Sequence, residues 1–78
     1  MDDLEIRFRF ARTFRKYRAE SGLKQAECAE KAGLTQAAIS QYENGTRIPS
    51  IIDFYFLTRA LGFDGNKFLQ EMTSTEGV

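Results

Sequence analysis

The chain has 78 residues, 42% of them hydrophobic, with eleven basic and eleven acidic side chains, no histidine and a single cysteine. That length allows one domain near the lower limit for a single core, and seven Phe with three Tyr supply large areas to bury in it. Without imidazole there is no Ser-His or Cys-His pair, and one thiol makes neither a disulfide nor a zinc site, so the chain is expected to be no enzyme and to need no metal or cofactor. No run reaches the ~18 apolar residues that span a bilayer. The start, Met1-Asp2-Asp3, is acidic where a signal peptide is basic, so a reduced, cytoplasmic domain without membrane contact is expected.

In chain order, Leu4 to Phe10 alternates apolar and charged residues, which by itself argues for a strand. It is assigned to helix because the stripe Phe10, Phe14, Tyr17 follows without a break and a lone strand would have no partner. Helix 1 is thus expected over about 4–20, stopped by Ser21-Gly22. Helix 2 is expected over 25–32 and closed by Gly33. Thr35 can cap helix 3, over 36–44, which ends at Gly45. Ser50 caps helix 4, over 51–61, whose inward stripe is read as Ile51, Phe54, Leu57 and Leu61; Gly62 ends it. Asp64 caps a last helix through about Met72. The expectation is an all-α, compact five-helix bundle over 1–72, with 73–78 a frayed tail.

The residues Gln25-Ala26-Glu27, Ala29-Glu30-Lys31-Ala32-Gly33, Thr35-Gln36, Ile39-Ser40-Gln41-Tyr42-Glu43-Asn44-Gly45, Arg47 and Pro49-Ser50 resemble the Cro/CI-type (XRE) helix-turn-helix domain of phage repressors. The likeness continues through Ala60-Leu61-Gly62-Phe63 and back to Arg18. It implies a lambda-repressor-like DNA-binding fold in which helix 3 is the recognition helix, with double-stranded DNA as partner. Small proteins with this pattern are similar to phage or plasmid repressors and to the controller proteins of restriction–modification systems.

The physics of the same positions supports that picture. Ala29, Leu34 and Ile39 fall where the two short helices and their turn must touch, and Ala26 and Ala32 are small enough for close approach. Cys28 reads as a buried small hydrophobe. On a helical wheel, Gln36, Ala37, Ser40, Gln41 and Asn44 lie opposite Ile39. Glutamine can bridge adenine N6 and N7, and alanine can rest on a thymine methyl. Gln36 and Gln41 are therefore the expected base readers, with Ala37 and Ala38 as apolar contacts and Ser40 as a versatile one.

Phosphate contacts are expected from Lys24, Gln25, Thr35, Asn44, Thr46 and Arg47. Gln25 begins a helix whose free amides favour an anion, and Arg47 can also reach a narrow minor groove. Lys24 departs from the resembled pattern, which has a Ser or Thr cap there. Arg18 and Glu43 correspond to a structural ion pair between helix 1 and the end of helix 3 in the resembled family.

A net charge of zero speaks against strong phosphate binding, although Arg7, Arg9, Arg12, Arg15, Lys16, Arg18 and Lys24 crowd the first third and can form a positive face. Helix 4 carries a second apolar stripe, Ile48, Ile52, Tyr55 and Phe56, that one core does not need. It is read as a homodimer surface, because a palindromic operator requires two recognition helices about one DNA turn apart. The alternative is an antitoxin-type module whose apolar surface binds a protein partner while its helix-turn-helix binds the operator.

Overall fold

The structure, a computed structural model, describes residues 1–74. Five helices follow in chain order: α1 (Asp3–Ser21), α2 (Gln25–Ala32), α3 (Gln36–Asn44), α4 (Ile51–Leu61) and α5 (Gly65–Thr73). No strand occurs among the described residues.

The alternating segment is helical for local reasons. The Asp2 carboxylate accepts the Glu5 amide at 2.8 Å, which satisfies one of the free donors at the helix start. Arg7 with Asp3 and Arg9 with Glu5 form i,i+4 pairs along the next two turns. Alternation over a few residues has no sheet to join, whereas each of these contacts is available within the helix. At the other end, Thr73 closes α5 instead of beginning a tail, and the Ser74 amide donates to the Glu71 carbonyl. Residues 75–78 of the expected tail lie outside the described residues.

The core is largely aromatic. Phe14, Phe68, Tyr42, Ile39, Leu57 and Cys28 are fully buried, and Phe10 packs its ring 5.2 Å from that of Phe68 and 5.7 Å from that of Phe14. Tyr17 and Phe63 close one side of it, ring against ring at 4.9 Å. Burying each such ring stabilises the fold by roughly 2–3 kcal/mol, which is how so short a chain sustains one core. α1 packs on α3, α4 and α5, while α2 packs on α3 and α4.

Two expected core positions lie elsewhere. Ile51 is 80% exposed, because it opens α4 beyond the edge of the core. It rims an open apolar groove of about 250 Å³ with Ile6, Phe10, Ile48, Pro49, Phe54, Leu69 and Met72. Ala26 is exposed on the outer side of α2, where Cys28, Ala29 and Ala32 make the inward contacts.

Candidate nucleic-acid interface

α2 and α3 are joined by the three residues Gly33-Leu34-Thr35. Gly33 takes a left-handed φ of 72°, and its amide reaches the Glu30 carbonyl at 3.2 Å while the Leu34 amide reaches the Ala29 carbonyl at 2.9 Å. This paired closure satisfies the last carbonyls of α2 and turns the chain sharply. Thr35 restarts helix at once, its hydroxyl accepting the Ala38 amide at 3.1 Å. The Thr35 side chain, expected at a phosphate, is therefore engaged as a cap. Leu34 is half-buried and packs against the core, anchoring the turn.

One side of α3 faces the bundle and the other faces solvent. Ala38, Ile39, Tyr42 and Glu43 are buried, whereas Gln36, Ala37, Gln41 and Asn44 are exposed and Ser40 is intermediate. The reading of Ala38 as a base contact is corrected by this geometry. Ala38 lies one turn before Tyr42 on the inward side and is only 6% exposed, so its methyl belongs to the core.

The turn after α3 is bonded to itself and to its neighbours. Gly45 is left-handed at φ 82°, and the Thr46 amide and hydroxyl donate to the Asn44 side-chain oxygen at 3.0 and 2.7 Å. Arg47 is folded back: one guanidinium nitrogen lies 3.4 Å from Gln41 Oε1 and the group sits 5.8 Å from the centre of the Tyr42 ring.

Arg18 and Glu43 meet in a two-point ion pair, Arg18 Nε and Nη2 facing the two carboxylate oxygens, the second at 3.0 Å. The Glu43 hydrogen bond raises the guanidinium pKa, against the opposing effect of burial. Arg18 also donates to the Leu23 carbonyl at 2.8 Å, and Gln25 Nε2 donates to Glu43 Oε1 at 3.2 Å. Gln25 is thereby half-buried beside the pair at the start of α2. Lys24 is exposed, and its side chain caps nothing. Half of a capping arrangement remains, with Glu27 accepting the Lys24 amide at 2.9 Å.

Sequence reasoning missed what α1 does for α3. Arg15 donates to the Glu43 carbonyl at 2.6 Å and Arg7 to the Thr46 carbonyl at 2.9 Å. Arg9 reaches the Met72 carbonyl in the last turn of α5 and the Ser74 carbonyl just beyond it. Several of the clustered arginines thus serve carbonyls at helix ends, where the dipole favours a cation, instead of forming one open positive face. Lys16 pairs with Glu71. No sequence signal marks these contacts, since the partners lie far away along the chain.

On α4, Ile52, Tyr55 and Phe56 are 64%, 56% and 43% exposed and form a contiguous apolar strip with Ile51. Ile48, expected in the same strip, is half-buried against the core. No described helix is long and apolar enough to cross a membrane.

Comparison with known proteins agrees with this architecture. The helix-turn-helix family model (HTH_3) matches residues 14–68. A relative in Sinorhizobium fredii, named an uncharacterized HTH-type transcriptional regulator, y4dJ, is 36% identical over 76% of this chain and 77% of its own. A second from Bacillus subtilis, YqaF, carries the same kind of name and is 38% identical over 74% and 76%. Two crystal structures share the fold. A mutant of the restriction-modification controller protein C.Esp1396I superposes with a TM-score of 0.79 at 24% identity, covering 86% of this chain and 89% of its own. The clp gene regulator ClgR from C. glutamicum superposes with 0.82 at 23%, covering 94% and 95%. The chain belongs to the helix-turn-helix family of the Cro/CI (XRE) type, whose members are non-enzymatic, DNA-binding transcriptional regulators.

Proposed function

We propose that the chain acts in the cytoplasm as a repressor or controller of transcription, binding a palindromic operator as a homodimer. The observation that carries this reading is the division of α3: one side locked into the core by Ile39 and Tyr42, the other presenting Gln36, Ala37 and Gln41 clear of the bundle. In this reading Gln36 and Gln41 read bases, with Ala37 and Ser40 beside them. Lys24, Gln25, Asn44, Thr46 and Arg47 flank that row on both sides and contact phosphates. The strip Ile51, Ile52, Tyr55, Phe56 is covered by a second copy, which places a second α3 on the next turn of the duplex.

Selection of binding sites from random duplex DNA tests the proposal directly. Enriched sites are expected to be inverted repeats whose half-site centres lie about 10 base pairs, or a multiple, apart. Recovery of no sequence above the starting pool would refute sequence-specific binding, and single, unrepeated sites would refute the dimer.

A further inference from the structure

Arg7 and Phe8 lie upstream of residue 14, where the match to the family model begins. Both nevertheless touch the turn that follows the recognition helix. The Arg7 guanidinium is held between two groups, its Nε on the Asp3 carboxylate at 2.9 Å and its Nη1 on the Thr46 carbonyl at 2.9 Å. Phe8, 56% exposed, lays its ring on Gly45: a Cβ at that glycine would lie 3.0 Å from Phe8 Cδ1 and 3.1 Å from Cε1. The absence of a side chain at Gly45 therefore serves two ends at once, the left-handed φ of 82° and the seating of this ring. From within, the same turn is held by Asn44 Oδ1, by the Gln41 carbonyl and by the folded-back Arg47 side chain, which meets Gln41 Oε1 and the Tyr42 ring. α1 adds two tethers from another helix to these local ones, the Arg7 hydrogen bond and the Phe8 ring.

We infer that Arg7 and Phe8 are positioning residues for DNA binding, clamping the turn at 45–47 so that Asn44, Thr46 and Arg47 meet the phosphates in one arrangement. This rests on the DNA interface proposed above. Neither residue touches DNA itself in this scheme. Their contribution is to reduce the freedom that the turn loses on binding, which appears as affinity.

The test uses the full chain, a fluorescent duplex carrying the selected operator, and several salt concentrations. Arg7→Ala and Phe8→Ala are each expected to weaken binding about threefold to tenfold, the scale of one lost hydrogen bond or its equivalent. The salt dependence should stay that of the original protein, and amides at 45–47 should exchange faster in the free variants. Arg9→Ala removes the same charge from the same helix but acts at the end of α5, and is expected to stay within about twofold. Arg7→Gln, which keeps a neutral donor for the Thr46 carbonyl, should fall between the two and serves if Arg7→Ala does not fold. A salt slope lowered by about one unit in Arg7→Ala would mean that Arg7 touches a phosphate directly and would overturn the inference. So would losses no larger than that of Arg9→Ala. An original protein that binds no duplex would remove the interface and the clamp together, whereas binding unaffected by these variants removes the clamp alone.

Discussion

Cys28 is fully buried in α2, and burial pushes its thiol above the ordinary value of about 8.5, with Arg18 pulling it back and Glu43 adding to the rise. The sign of the consequence is definite. The unfolded chain ionises first as pH rises, so the protonated thiol's contribution to stability is complete below the unfolded value and is lost as pH climbs through the folded one. Melting temperature should therefore fall over the alkaline interval that opens at about pH 8.5. Cys28→Ala should flatten that interval while lowering stability at neutral pH by roughly 1 kcal/mol for the lost sulfur contacts. An unchanged slope in the variant would move the effect to other groups. Buried Tyr42 and partly buried Tyr17, both also raised chiefly by desolvation, act at higher pH, around 10 and above. That Cys28 is core was legible because the resembled pattern carries leucine at that position and an uncharged thiol packs as a small hydrophobe; its coupling to Arg18 and Glu43 needed the fold.

The recognition helix and the turn behind it are expected to make different kinds of contact, and substitution separates them. Gln36→Ala should cost about 1–3 kcal/mol on the selected operator and relax discrimination at one base pair, as titration on single-base operator variants would show. Arg47→Ala should weaken binding to all sequences alike and lower the salt slope by about one unit. Equal losses from both on operator and random DNA would mean the readout is assigned to the wrong residues. The outer row of α3 was readable from sequence because a short helix between Thr35 and Gly45 leaves little freedom of register. Ala38 was misread because alanine gives no hydropathy contrast: its neighbour Ala37 is exposed and Ala38 is not, and only the packing of Tyr42 one turn later tells them apart. Ile51 was misread for a related reason, since a helix periodicity says nothing about where the neighbouring helices stop. The bonds from Arg7 to the turn after α3 and from Arg15 to the end of α3 join positions 39 and 28 residues apart, and no local pattern encodes such a reach.

For the whole molecule, the apolar strip on α4 predicts association. Ile52→Glu places a charge in that strip without touching the core, so the variant should keep its helical content yet sediment as a monomer where the original sediments as a dimer. Operator binding should then lose its steepness and most of its affinity. A monomeric original with full operator binding would contradict the dimer, and a chain that stays dispersed only with a different protein would favour the antitoxin-type alternative. The five-helix architecture was legible because caps and glycines punctuate the chain, while the charge distribution was not. Arg7, Arg9, Arg15 and Arg18 bind carbonyls or carboxylates of this same chain. Those bonds fix where the guanidinium groups point, and a molecule of zero net charge exerts little long-range pull on a polyanion. It should dwell only briefly on random genomic duplex, so that discrimination between operator and background arises as much from weak loitering elsewhere as from tight grip at the target.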